Sequence, residues 1–112
     1  MVDNNHLTSV DISELSKLVR LDLSNNKIAS INLSNLNNLQ HLSLGMNCLQ
    51  KIHLSGQKKL LTLMLPKLNL TEIDLSAQPE LKVLNVSHNE LEYIDFTANQ
   101  MLQEINLQNN KF

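Results

Sequence analysis

The residues that could carry chemistry in this chain of 112 residues are four histidines, one cysteine and several aspartates. Asp74 and Asp95 stand 21 residues apart, and paired carboxylates can serve acid–base catalysis or hold a cation. Cys48 could act as a nucleophile if a histidine lay beside it to take its proton. Whether these groups meet depends on the elements that position them, and the spacing of 21 residues recurs along the chain.

Leucines recur at this spacing, at Leu18, Leu39, Leu60, Leu81 and Leu102. If this leucine is position 0 of the repeat, positions 3, 5, 10, 13 and 15 are apolar in almost every turn. Such a period is the signature of a solenoid whose turns stack on one another. It predicts one domain over residues 1–112, with turns at 18–38, 39–59, 60–80 and 81–101 and partial turns at 1–17 and 102–112. Because both ends fall within a turn, we expect the chain to be part of a longer array.

The pattern within one turn predicts its local structure. Apolar positions 3 and 5 alternate with polar positions 2 and 4, as in a half-buried strand. Positions 13 and 15 alternate in the same way and predict a second short extended segment on the opposite wall. About five residues remain to close the turn, too few for an ordinary helix. That wall is therefore expected to be extended or 3₁₀, and the solenoid mostly β.

Amide side chains form columns in the repeat. An inward asparagine at position 8 can bond the backbone of neighbouring turns, so we expect a ladder of Asn5, Asn26, Asn47, Asn89 and Asn110. Leu68 takes this position in one turn, two residues after Pro66, which has no N–H. We expect a broken ladder and a local kink there. Repeat drift is the simpler explanation, and a turn reshaped for binding is the alternative.

The segment from Leu18 to Ile28 reads LxxLxLxxNxL, which resembles the leucine-rich-repeat motif. The repeat of 21 residues, with its I-x-L-S segment, is similar to the internalin-J-like class of bacterial surface proteins and to irregular stretches of eukaryotic leucine-rich-repeat proteins. The resemblance implies a right-handed solenoid, α/β by family convention, with a parallel concave sheet and short extended or 3₁₀ convex segments. It also implies a protein-binding scaffold with very varied partners.

We call the surface made by the outward side chains at positions 2, 4, 6 and 7 the concave face. Its middle is apolar and adaptable and its flanks are polar, which is the anatomy of a protein-binding patch. The competing interpretation is that scattered exposed apolar residues are ordinary. The residues predicted to bind a partner are Met46, Met64, Pro66, Lys67, Val83, His41, Asn85 and His88.

The repeat separates the candidate catalytic groups from one another. His41 and His88 share the concave face but lie about 10 Å apart, too far for one metal ion. Cys48 has no histidine stacked beside it in an adjacent turn, so we expect a plain exposed thiol. Asp74 and Asp95 fall on an outward column and are expected to be solvated. We predict no catalytic residue, no cofactor and no metal site.

The composition of the chain limits the classes of partner that we expect it to bind. With a net charge of −2, the chain lacks the basic excess that nucleic-acid binding needs. No apolar run is long enough to span a membrane. A single cysteine and the lack of a leader in the sequence favour the cytoplasm, whereas sequons at Asn32, Asn69 and Asn85 would suit the cell surface or exterior.

The predicted function is a non-catalytic scaffold that binds another protein through the concave face, with end-to-end association through uncapped ends as a further option. The alternatives are the recognition segment of a larger signalling enzyme (a phosphatase, kinase or cyclase) and that of a bacterial surface adhesin.

Overall fold

The computed structural model describes residues 6–112 and contains five short parallel strands. The strands are β1 (Arg20–Asp22), β2 (His41–Ser43), β3 (Thr62–Met64), β4 (Val83–Asn85) and β5 (Glu104–Asn106). They form one sheet in the order β1-β2-β3-β4-β5, and register partners such as Leu42 and Leu63 are one repeat apart in sequence. No helix occurs in residues 6–112. The prediction of a mostly β solenoid is confirmed.

Leucines fill the interior of the solenoid because the strand period sends alternate side chains inward. At position 3 of the middle turns, Leu63 is fully buried and Leu42 and Leu84 are each 1 % exposed. Burial of one such side chain stabilises the fold by about 1.5–3 kcal/mol. Ile105, at the same position of β5, is 47 % exposed because β5 is the last strand of the sheet. The core is therefore a stack of equivalent layers, each completed by the next turn.

The wall opposite the sheet consists of paired turns. Leu36 N donates to Leu33 O at 2.9 Å and Leu39 N donates to Leu36 O at 3.4 Å. Each bond joins residues three apart, the pattern of a single 3₁₀ turn, and the same pair recurs along the solenoid. The expected short, non-helical wall is present.

The second extended segment, expected at positions 13 to 15, is not a hydrogen-bonded strand: within residues 6–112 the strands are β1–β5 alone. The reason is that the side chain at position 14 bonds the backbone two residues later. Asn32 Oδ1 accepts from Ser34 N at 3.0 Å, so the amide that would pair with a neighbouring turn is bonded locally.

Pairing between turns continues past the end of each strand. Leu44 N donates to Met64 O at 3.0 Å and Met46 N donates to Pro66 O at 2.9 Å, so the amides of positions 5 and 7 are used and that of position 6 is not. Pro66 lies at position 6, where its missing N–H removes no bond between turns. The strands on both sides of β3 keep their register. The kink expected from Pro66 is therefore absent from the sheet.

Candidate functional site

Two rows of half-buried side chains cross the three middle strands on the concave face. The row at position 2 contains His41, Thr62 and Val83, and the row at position 4 contains Ser43, Met64 and Asn85. Parallel strands lie about 4.8 Å apart, so Met64 lies directly between Ser43 and Asn85. The structure thus places Met64 at the centre of the face, with two polar neighbours in its row.

A third row, at position 7, has a backbone conformation that few residues favour. Its φ angles lie between 56° and 60° in all five turns: Asn25, Met46, Lys67, His88 and Asn109. This left-handed conformation costs an L-residue about 1–2 kcal/mol, and asparagine tolerates it better than most. Asparagine occupies the first and last of these turns, whereas Met46, Lys67 and His88 occupy the middle three and are all exposed. In the middle turns, residues with exposed side chains therefore occupy a backbone conformation in which asparagine would be less strained.

β1 and β4 are each followed by an Asx turn. In such a turn an Asp or Asn side chain accepts a hydrogen bond from the amide two residues later. Asp22 Oδ1 accepts from Ser24 N at 3.0 Å, and Asn85 Oδ1 accepts from Ser87 N at 2.9 Å and from Ser87 Oγ at 2.7 Å. These bonds satisfy the position 6 amide that takes no part in pairing between turns.

The turn that follows β3 has no such bond. Met64 replaces the acceptor and Pro66 replaces the donor, so an Asx turn gives way to an apolar pair that needs no hydrogen bond. In the preceding turn, Gly45 leaves room for the ring of Pro66. A Cβ added to Gly45 would lie 2.7 Å from Pro66 Cδ, so the proline ring packs directly on the backbone of Gly45. Pro66 and Gly45 therefore form one packed unit, and Met64 lies two residues before Pro66.

The polar residues around this unit differ in whether their hydrogen-bonding groups and charges already have a partner within the chain. His88 Nε2 lies 3.2 Å from Asn109 Nδ2, so that ring nitrogen already has a neighbour. The side-chain oxygen of Asn85 is bonded to Ser87, which leaves its NH₂ group to face outward. Lys67 is exposed and has no ion pair within residues 6–112. Lys67 is therefore the free cation of this site.

Beneath the face, the asparagines of position 8 join adjacent turns. Asn47 Oδ1 accepts from Ile28 N at 2.9 Å, while its Nδ2 donates to Leu44 O at 2.8 Å and to Leu23 O at 3.0 Å. The same kind of contact is made by Asn26, Asn89 and Asn110. Asn5 lies outside the described residues.

Leu68 is buried in the asparagine column and bonds nothing there. Leu49 N, the equivalent of Ile28 N, finds no acceptor within residues 6–112. The column is therefore interrupted in the same turn as Met64 and Pro66.

A second amide column lies in the opposite wall and contains Gln57, Gln78 and Asn99, all buried. Gln78 Nε2 donates to Leu54 O at 2.6 Å and to Gln57 O at 3.3 Å. In the described part of the chain, Gln78 Oε1 and Asn99 Oδ1 are buried with no partner. This column bonds backbone carbonyls but satisfies its own oxygens less fully than the first.

The paired aspartates close turns, and both border one depression of about 220 Å³ beside Tyr93 and Thr97. Ser76 N donates to Asp74 Oδ1 at 2.9 Å, and Thr97 N donates to Asp95 Oδ1 at 2.8 Å. Hydrogen bonds from Ser76 hold the pKa of Asp74 below its ordinary value, and those from Thr97 do the same for Asp95, against the charge of Asp74. Each carboxylate is stabilised in its charged form by the turn it caps.

The other reactive groups stay apart. Cys48 is exposed. Within residues 6–112, no group of three or more His, Cys, Asp or Glu side chains is placed to hold a metal ion. Nor does this part of the chain form a helix with the length and apolar character needed to cross a membrane.

Two features of the site were not predicted from the sequence: the left-handed row and the Asx turns. Both leave a signal. Asn25 and Asn109 supply at position 7 a residue that tolerates positive φ. The pairs Asp22–Ser24 and Asn85–Ser87 are an Asp or Asn followed two residues later by Ser, the sequence pattern of an Asx turn.

Comparison with known proteins places this geometry in a family. The Leucine Rich Repeat family profile matches residues 17–39. The functional domain of InlJ from Listeria monocytogenes is 29 % identical over 92 % of the chain, with a TM-score of 0.89. A leucine-rich-repeat protein of Leptospira interrogans is 30 % identical over 96 % of the chain, also with a TM-score of 0.89. A chain of the Toll–Spätzle complex of Drosophila is 26 % identical over 95 %, with a TM-score of 0.84.

The chain spans 23 %, 30 % and 18 % of the lengths of these three chains, respectively, which is less than a third of each. Among curated protein sequences, none matches it significantly. The InlJ domain includes a cysteine ladder. Such a ladder has no counterpart here, because Cys48 is the one cysteine of the chain and is exposed.

Proposed function

Because the chain is a leucine-rich-repeat protein with internalin-like repeats, we propose that it binds another protein through the middle of its concave face, without catalysis. The residues that carry this binding are Met46, Met64, Pro66, Lys67, Val83, His41, Asn85 and His88. Met46, Met64, Pro66 and Val83 supply apolar contact, and the other four supply polar contact around it.

The main support for this proposal is that several outward residues of the middle turns are unfavourable for the stability of the fold. Met46 and Lys67 hold a left-handed backbone that asparagine would hold at lower cost. Met64 and Pro66 give up an Asx turn that other turns possess. None of these changes adds a hydrogen bond or fills the core. Their benefit therefore lies outside the fold, in contact with a partner.

The apolar residues are also suited to contact by type. Methionine is flexible and polarisable and adapts to irregular partner surfaces. Pro66 is held rigidly against Gly45, so its outer surface loses little entropy on binding. A chain of the Toll–Spätzle complex has the same fold, which supports protein binding as the use of such a face.

A displayed library of random peptides, selected against the purified chain, tests the proposal. Each selected peptide is then measured against Met64→Asn and against Tyr93→Asn. Asparagine already fills position 4 at Asn85 and Asn106, so the fold should accept Met64→Asn. Tyr93 is 72 % exposed and lies away from the concave face, so Tyr93→Asn is the matched control.

We expect selected peptides to lose about fivefold or more in affinity for Met64→Asn and to bind Tyr93→Asn like the unaltered chain, because truncating a central, well-packed contact residue costs about 1 kcal/mol or more. If no selected peptide distinguishes Met64→Asn from Tyr93→Asn, the proposal is wrong.

A further inference from the structure

The middle of the concave face has a charge opposite in sign to that of the whole chain. We define the middle patch as residues 41–46, 62–67 and 83–88, which are strands β2, β3 and β4 with the three residues that follow each. It contains no Asp or Glu, and Lys67 is its one permanent charge. His41 and His88 are its other basic side chains. The chain has 11 acidic residues and a net charge of −2, so its acids lie elsewhere.

Two carboxylates lie on the strands that flank the middle patch. Asp22 of β1 is in register with Ser43, and its oxygen already accepts from Ser24 N and Ser24 Oγ. Glu104 of β5 is exposed and in register with Val83, at position 2. Arg20 lies at the same position of β1 and is exposed, so the start of the strands carries charge of both signs. A partner's carboxylate meets no acidic side chain in the row at position 7.

Lys67, the one permanent charge of the middle patch, lies beyond the far end of the strands. Lys67 and His88 both lie at position 7, three residues after β3 and β4 respectively, and both are exposed. They are in adjacent turns, so one carboxylate of a partner can approach both side chains. Charge complementarity of this kind steers encounter and fixes the orientation of a bound segment.

The apolar part of the surface sets the size of what it can hold. A depression of about 100 Å³ is bordered by Arg20, Asp22, His41, Thr62 and Met64. Pockets that take small molecules usually measure about 300–1,000 Å³. The depression is therefore suited to one side chain of a partner and is too small for a free ligand of ordinary size.

From these observations we infer that the partner presents an acidic, apolar stretch of protein chain, with an apolar side chain on Met64 and a carboxylate on Lys67 and His88. This inference rests on the proposed function and adds to it the chemistry of the partner.

The composition of the peptides selected against the chain tests it, restricted to those that lose affinity for Met64→Asn. We expect these peptides to contain an excess of Asp and Glu over the starting library, next to a large apolar residue. If Met64-dependent peptides show no such excess, the inference is wrong and the proposed function stands. If no peptide depends on Met64, the proposed function is wrong and the inference is lost with it.

A second variant tests the cation directly. Lys67→Gln removes the charge but keeps a long side chain in the same left-handed backbone, and Lys58→Gln removes a charge outside the middle patch. The strength of an exposed ion pair predicts that Lys67→Gln weakens the acidic peptides about twofold to fivefold. Lys58→Gln should leave affinity unchanged. Equal affinities for the two variants would overturn the assignment of Lys67.

Discussion

At position 7, the positive φ angle determines how much each residue type lowers the stability of the fold. Lys67 has a φ of 56°, and its exposed side chain makes no ion pair within residues 6–112. Replacing it with asparagine keeps a polar residue and reduces the strain of the left-handed conformation. A gain in stability and a loss in binding should therefore come from the same substitution.

Lys67→Asn should raise the free energy of unfolding by about 0.5–1 kcal/mol, and Lys67→Val should lower it by about 1 kcal/mol or more, because a β-branched residue resists positive φ. Urea unfolding followed by circular dichroism measures both changes. Lys58→Asn is the control, since Lys58 has no positive φ. The strain argument fails if Lys67→Asn is no more stable than Lys58→Asn.

Gly45 is required by its neighbour in the next turn. A Cβ there would lie 2.7 Å from Pro66 Cδ and 3.0 Å from Pro66 O. Gly45→Ala should therefore lower the free energy of unfolding by about 1–3 kcal/mol, the usual cost of overpacking. Pro66→Ser places at position 6 the residue that Ser24 and Ser87 already provide.

The double variant Gly45→Ala/Pro66→Ser should recover most of the stability lost by Gly45→Ala, because the ring that meets the new Cβ is gone. Chemical denaturation of the four proteins of this cycle gives the coupling between the two sites. Additive losses would show that Gly45 and Pro66 do not form a unit.

At the scale of the element, three turns are closed by local hydrogen bonds to a carboxylate, which respond to acid. Asp11, Asp74 and Asp95 all have a pKa below the ordinary value of 3.8, through hydrogen bonds from Ser13, Ser76 and Thr97 respectively. A carboxyl group with a lowered pKa in the folded state contributes stability above its unfolded pKa. That contribution is lost as the pH falls through the lower, folded pKa.

The free energy of unfolding should therefore decline as the pH is lowered from about 4 towards 2. A triple variant with asparagine in place of Asp11, Asp74 and Asp95 should decline less steeply. Asparagine keeps the Asx turn, as Asn32 does with Ser34, but does not titrate. Urea unfolding at a series of pH values compares the two proteins, and an equal decline would contradict the role of these turns.

The elements differ in how far the sequence determines them. The strands follow from the alternation of apolar residues around Leu42 and Leu63, because side chains alternate across a strand. The alternation of positions 13 and 15 predicts a second short extended segment, and this segment does not pair as a strand because Asn32 bonds the Ser34 amide. Hydrophobic periodicity reports which side chains are inward, whereas backbone pairing also depends on which amides are already bonded.

At the scale of the whole molecule, a few buried asparagines connect the turns. Asn47→Ala should lower the free energy of unfolding by about 2 kcal/mol or more, because it leaves the buried Ile28 N and Leu44 O without a partner. Asn38, which is half-buried, makes only exposed bonds, so Asn38→Ala is the matched control. Similar losses for the two variants in urea unfolding would contradict the role of the ladder.

The fold is predictable from the repeat because each turn contacts only its neighbours, so one period determines every layer. The site is less so. The apolar character of Met64 and Pro66 is visible in the sequence, but their meaning depends on the Asx turn they replace and on the contact with Gly45. Contacts between residues one repeat apart, which residue types alone do not specify, give the middle patch its shape.

The central claim is that a partner contacts the middle of the concave face, and the methionines test it directly. The chain has four, of which Met46 and Met64 lie in the middle patch, while Met101 is 47 % exposed at position 20, away from the concave face. With ¹³C-labelled methionine methyl groups, adding a selected peptide should shift or broaden the Met46 and Met64 signals and leave Met101 unchanged. A shift of the Met101 signal, with Met46 and Met64 unmoved, would contradict the account.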